Sequence, residues 1–517
     1  MPSSRIAAGT AETNELPGPV RMVIVLLTLA LTAGCPAGSR NVKLTPTTGS
    51  TPDQSTGGEV VPDHGGSTRS DLRLIVIDDP GLSEVIEREW PANTGSEVKA
   101  RLMSTDKFLA SIEPAATATL EADVIIFPSD MLGTLAERKL IRKFPREFLE
   151  ADTFARTEIF DLVRLHDMKW GDDTYALSLG SPQFIYYYRT DVIATPDAFP
   201  ATWEAYERFL SGYRAGEEDD REAKAPEAAR ASAPRYACVE PLGPGWAGKV
   251  LLARAAGAIY DRGRFASPFD IRTAEPLLTQ PPFVRALTQL VAAYRAGPPE
   301  ARDFSPHDAA RFFWSGQAAV ALSWPSGARG ETEPTGPIAM NFGALPGSAE
   351  RYDFNRSVWV PLDEAAPQRV VLIGAAGRMI AVTRGAGNLR AAEGLAAWLA
   401  GPEQSSQLAS RSEATTMFRF SQASQVGRWV ESAVPPEAAR SYAQLCQGLQ
   451  VGGPFSISPR VPGSQRYLRA LDQAVHAALD GAEPESALAK AARDWQQITE
   501  DLGATQQKAA LRRSWGS

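Results

Sequence analysis

Apolar positions follow two rhythms along this chain. Leu72-Arg73-Leu74-Ile75-Val76-Ile77 is a short β-rich run, and Asp78-Asp79-Pro80-Gly81 reads as the turn that ends it. A helical stretch follows from Ser83 to Trp90, and Val98 to Met103 reads as a second strand. Asp123-Val124-Ile125-Ile126-Phe127 then presents a continuous apolar run, the pattern of a parallel strand covered on both faces. Pro128-Ser129-Asp130 breaks it, after which Leu132, Leu135, Ala136 and Leu140 recur at helical spacing. Strand and helix alternating in this way predict βαβ units and an α/β sheet.

The alternation returns later. Ala318 to Trp324 and Arg378 to Val382 read as strands. Phe283, Leu287, Leu290, Val291 and Tyr294 share one helical face, as do Leu395, Trp398 and Leu399. The chain closes in helices, with stripes through Leu468, Leu471, Val475 and Leu479 and then Leu488, Ala491, Trp495, Ile498 and Leu502. Residues 214–234 are charged and rich in Ala and Pro, which predicts an exposed loop.

The N-terminal region breaks both rhythms. The apolar run Met22 to Ala33 is shorter than the ~20 residues a bilayer-spanning helix needs. It fits the apolar core of an export signal. Leu31-Thr32-Ala33-Gly34-Cys35 resembles a bacterial lipobox, which implies a diacylglycerol on the Cys35 thiol. Residues 1–35 are therefore expected to be a lipoprotein signal peptide. Residues 36–70, rich in Gly, Ser, Thr and Pro and without an aromatic residue, are expected to be a flexible linker.

Composition narrows the chemistry. The formal net charge of -8 disfavours nucleic acid as a partner. The four histidines form no HExxH motif and no cluster with cysteine, so no zinc site is expected. Cys238 and Cys446 either pair or stand as separate buried thiols. No GxSxG context and no carboxylate-pair motif marks a hydrolase.

Several segments resemble the extracellular solute-binding proteins of ABC importers, in particular the sugar-binding, maltose-binding-protein-like group. They are Asp123–Asp130 with Leu132-Gly133-Thr134-Leu135, Tyr175–Leu179 with Tyr186–Asp191, and Pro200-Ala201-Thr202-Trp203-Glu204. Phe312–Val320 and Phe342-Gly343-Ala344-Leu345-Pro346-Gly347 complete the series. Ser178 departs from the pattern, standing where the group usually has proline. The resemblance implies an α/β, two-lobed periplasmic binding protein type II fold, its discontinuous lobes hinged around a cleft. One lobe would comprise 71–185 plus 322–379 and the other 186–321 plus 380–505, with crossings near 183–188, 319–324 and 378–382. It further implies a monomeric, non-enzymatic, cofactor-free protein. Held outside the cytoplasm by its lipid, in the periplasm or at the cell surface, it would pass a small solute, a sugar or oligosaccharide, to ABC permease subunits.

Candidate ligand residues follow from chemistry at expected loops. Ser129 and Asp130 lie beyond a buried strand, where α/β sheets bind ligands, although either could instead cap the next helix. Trp246 and Trp324 could stack on the C–H face of a sugar, or be core. Gln183 and Tyr186 belong to the first crossover. Arg378 and Arg419 could grip ligand oxygens bidentately, or make surface ion pairs. Gly243-Pro244-Gly245-Trp246-Ala247-Gly248 matches GxGxxG between a possible strand (Tyr236 to Val239) and a possible helix (Val250 to Leu252), with Asp261 downstream. An exported nicotinamide-dependent oxidoreductase is thus one alternative, though Pro244 and Trp246 crowd the backbone that would approach a pyrophosphate. A glycoside hydrolase is the other.

Overall fold

The computed structural model describes residues 71–112, 119–213, 233–261, 266–330, 338–363 and 366–516. These fall within the unit Ser67–Ser517. The expected signal peptide, Cys35, the linker and nearly all of the 214–234 loop lie outside the described residues.

Two sheets organise the chain. Three strands, β1 (Leu72–Ile77), β2 (Val98–Met103) and β3 (Val124–Pro128), run parallel, with Leu72 opposite Val98 and Leu74 opposite Val124. They join β4 (Leu177–Gly180) and, from much later, β9 (Arg378–Val382) in the order β2-β1-β3-β9-β4. Alternate residues of the central strands enter different cores. Leu74, Val76, Val124 and Ile126 belong to one apolar cluster, and Ile75, Ile77, Ile125 and Phe127 to another. That is why β3 carries no polar side chain: both of its faces are covered.

The second sheet has the order β8-β5-β7-β6. Its strands are β5 (Ile185–Arg189), β6 (Tyr236–Val239), β7 (Ala318–Ser323) and β8 (Met340–Gly343). The same alternation splits the tyrosine run. Tyr186 and Tyr188 enter one core and Tyr187 the other. Among the described residues, the strands expected at 318–324 and 378–382 form nearly as read.

The sheets divide the chain differently from the expected lobe limits. The chain passes from the first sheet to the second over Ser181–Phe184, near the expected first crossing. Met340–Gly343, expected with the first lobe, pairs antiparallel to β5 in the second sheet. Arg378–Val382, expected to straddle a crossing, lies inside the first sheet between β3 and β4. The reason is backbone pairing: β5 has an edge that β8 fills, and the gap between β3 and β4 needs an apolar strand with partners on both sides.

The turn expected at Asp78–Gly81 is also different. Pro80 opens helix α1 (Pro80–Thr94), and Asp79 caps it by accepting from the Leu82 N–H at 3.1 Å. Proline is suited to a first helical position because its fixed φ and missing N–H cost nothing there. The helix ends on Gly95 in the left-handed region, φ 69°.

Helices α2 (Ala247–Ile259), α3 (Pro281–Arg295) and α4 (Pro306–Trp314) accompany the second sheet. Helix α5 (Leu389–Ala400) returns to the first sheet, and α6 (Pro436–Gln450) packs on β8. Helices α7 (Ser464–Leu479) and α8 (Pro484–Asp501) pair with each other and cover α2 and α3. A last helix, α9 (Ala504–Ser514), reaches back to the first sheet's side. Arg460 fastens it, donating to Ser514 Oγ at 3.2 Å and to the Asp167 carbonyl at 2.8 Å.

Cys238 and Cys446 are separate buried thiols. Burial pushes the Cys446 thiol up to about 12. Among the described residues, no helix is long and apolar enough to cross a membrane, and no group of three or more His, Cys, Asp or Glu side chains is placed to hold a metal.

Candidate functional site

The carboxyl ends of β1, β2 and β3 open onto one cavity of about 680 Å³. Asp78, Ser104 and Ser129, each the first residue after its strand, all line it. Parallel strands that end together leave unpaired backbone and outward-facing loops, which is where α/β sheets take ligands. Trp246, Lys249, His307 and Trp324 face these loops from the second sheet's side, and Gln465 from the start of α7.

Asp130 is held on both of its oxygens. Its carboxylate accepts from Lys249 Nζ at 3.2 Å and from Gln465 Nε2 at 3.0 Å. Ser129 donates to the carbonyls of Gly374 and Ala376, at 3.3 and 3.4 Å. Neither side chain caps the following turn, so the capping alternative does not describe them.

The indoles form a wall. The Trp246 and Trp324 ring centroids lie 5.6 Å apart, and Phe184 packs within 6.3 Å of the first and 5.9 Å of the second. Trp324 is buried and donates from Nε1 to the Glu413 carbonyl at 2.8 Å. Trp246 is half-buried and flanked by Lys249, whose Nζ is 4.9 Å from its ring centroid.

Arg378 lies across the first-sheet loops. It donates to the Asp78 carbonyl at 2.9 Å, and its Nε is 3.2 Å from Asp79 Oδ2. Opposite, Glu413 pairs with His307 at 2.7 Å and with Arg329 at 3.2 Å. Burial pushes the Glu413 carboxyl up, but the His307 hydrogen bond and the Arg329 charge outweigh it and leave it below its ordinary value.

The glycine motif has a packing explanation. Asp472 accepts from the Gly245 and Gly248 N–H groups, both at 2.7 Å. A carboxylate of the chain thus already sits where the α2 N-terminus could hold a phosphate. Burial raises the Asp472 pKa, and the two N–H groups pull it part of the way back. A Cβ on Gly243 would meet the Asp303 carbonyl oxygen at 2.7 Å, so glycine is required there by the neighbouring chain. Asp261, where a dinucleotide site would place its ribose-binding acid, is 3.3 Å from Arg351.

Three expected residues lie elsewhere. Tyr186 is buried and donates to Glu240 at 2.8 Å. Gln183 is buried beside Ser181 and lines a small separate crevice with Phe184 and Leu345. Arg419 is fully buried, its guanidinium donating to the carbonyls of Ala400, Ala155 and Phe154 at 2.8, 3.0 and 3.0 Å. Sequence reading missed Asp79, Lys249, His307, Glu413 and Gln465. Only Asp79 had a local signal, an acidic residue directly before proline.

The family described as Bacterial extracellular solute-binding protein matches residues 90–426. Among solved structures, the chain is similar to an ABC transporter solute binding protein from Agrobacterium vitis S4 with bound D-mannitol. That match has a TM-score of 0.58 at 14% identity and covers 84% of this chain and 99% of the other. A counterpart from Agrobacterium radiobacter K84, in complex with ribitol, gives 0.59 at 17% identity over 83% of this chain and 98% of the other. Maltose-bound MalE3 of T. maritima gives 0.58 at 16% identity over 83% and 99%. Comparison with curated proteins returns no match. At these identities the likeness is one of fold, and that fold is two-lobed.

Proposed function

The chain belongs to the bacterial extracellular solute-binding protein family, and from that premise we propose that it captures a neutral polyhydroxy solute, a sugar or polyol, outside the cytoplasm for an ABC importer. It does so without chemical change to the solute. One lobe is built on the five-stranded sheet and the other on the four-stranded sheet, and the solute sits between them.

One observation carries the reading. A single cavity has hydrogen-bonding groups at the ends of three parallel strands on one side and two indoles, Trp246 and Trp324, on the other. A sugar needs both, since its C–H face packs on aromatic planes while its rim hydroxyls need partners. The solutes named for the structural neighbours, D-mannitol, ribitol and maltose, support the same class. Contacts from both lobes make the ligand stabilise their approach.

The test is a thermal-shift and calorimetric panel containing D-mannitol, ribitol and maltose. A true solute at 100 times its Kd stabilises the fold by about 2.7 kcal/mol. Trp246→Ala should weaken that binding about tenfold, the loss of roughly one stacking contact. A panel without any binder, or a Trp246→Ala variant of unchanged affinity, would refute the assignment.

A further inference from the structure

We propose that Lys249 is a specificity-determining residue: it fills a cation position in the cavity wall with the protein's own ammonium and so excludes protonated amines. This rests on the cavity being the solute site. Lys249 Nζ is 3.2 Å from Asp130 Oδ2 and 4.9 Å from the Trp246 ring centroid. A carboxylate on one side and an indole face on another is the environment that binds a primary ammonium.

The pair is withdrawn from water, with the Lys249 and Asp130 side chains 11% and 4% exposed. Bulk salt therefore screens it little. The second Asp130 oxygen is taken by Gln465, so the carboxylate is matched before any solute arrives.

Helix preference does not explain this lysine. It is in the first turn of α2, where a positive charge opposes the helix dipole. What holds it there is the contact with Asp130 and the indole. Apart from the Lys249–Asp130 pair, Asp78, Asp79, Asp106 and Glu413 outnumber Arg378 and Arg411 among the lining charges. Without Lys249 the wall would be anionic beside two aromatic planes and would favour a cation. With Lys249 in place, an incoming ammonium meets a like charge, whereas a neutral polyol does not.

The experiment removes the ammonium in two ways. Lys249→Ala empties the position, and Lys249→Met fills it with an uncharged side chain. Thermal unfolding at pH 7 is followed with ethylammonium chloride against equal sodium chloride. Ethylammonium should raise the melting temperature of Lys249→Ala above the salt control. It should not do so for wild type, Lys249→Met or the Lys249→Ala/Asp130→Asn double variant. In titrations, the ratio of glucose to glucosamine affinity should move toward glucosamine about tenfold or more in Lys249→Ala.

Should Lys249→Ala fail to fold, Lys249→Ser is read the same way. An open variant that responds to ethylammonium no more than Lys249→Met overturns the proposal. If neither sugar binds any variant, the solute reading stands or falls on the D-mannitol, ribitol and maltose panel, and the ethylammonium comparison still decides the role of Lys249.

Discussion

Two buried carboxylates illustrate how differently single residues are treated in this fold. Asp130 has partners on both oxygens, whereas neither carboxylate oxygen of Asp167 has a hydrogen-bond partner. Burial pushes Asp167 from an ordinary 3.8 up to about 6, although the Arg460 charge opposes it. The folded state therefore holds this proton more tightly than the unfolded chain does. Its contribution is most favourable below about pH 4, weakens as pH rises toward 6, and is flat above. Asp167→Asn should remove that slope. The stability of wild type relative to the variant should rise by at most about 3 kcal/mol as pH falls from 7 to 4, read from urea unfolding at both pH values. Parallel pH profiles would contradict it. At this scale, residues next to strand ends or glycine loops were legible: Asp130, Trp246, Trp324 and Arg378 all line the cavity. Tyr186 and Arg419 were not, because their partners come from distant segments. Lys249 had no signal, since nothing in the local sequence sets it apart from Arg254, the other basic residue of the same largely apolar helix.

Between elements, buried polar side chains act as ties. Arg419 joins the last residue of α5 to the turn at Phe154–Ala155 through three carbonyls. Burial lowers its guanidinium to about 10, because no solvent remains around the charge. Arg419→Leu should cost about 2–4 kcal/mol in denaturant unfolding, since three buried acceptors lose their donor. Solute affinity should be unchanged, because the side chain lies outside the cavity; a selective loss of affinity would return Arg419 to the ligand. Helices with wide apolar stripes, such as α3, α7 and α8, were evident in the sequence. Helix α9 was not, because only Ala510 and Leu511 among its apolar residues are buried, and its attachment is by Arg460 and by Arg513 with Glu137. Pro80 was misread because proline signals both a turn and a helix start, and the deciding hydrogen bond, Asp79 to Leu82, is invisible in composition.

For the whole molecule, alternation of strand and helix was enough to establish the α/β class, and the ordered short segments implied two lobes. It could not say which late strand enters which sheet, since that depends on edges left open by strands far away in sequence. Membrane attachment also belongs to this scale. No helix among the described residues is long and apolar enough to cross a bilayer, and the lipobox-like segment makes Cys35 the proposed anchor. In cells, Cys35→Ser should shift the protein out of the membrane fraction on blotting; retention there would exclude the lipid. The position of β9 has a consequence for biosynthesis. The first sheet cannot close until residue 382 has left the ribosome, because β9 separates β3 from β4. Until then β3 and β4 keep open edges, and the early strands are left accessible to chaperones late into synthesis.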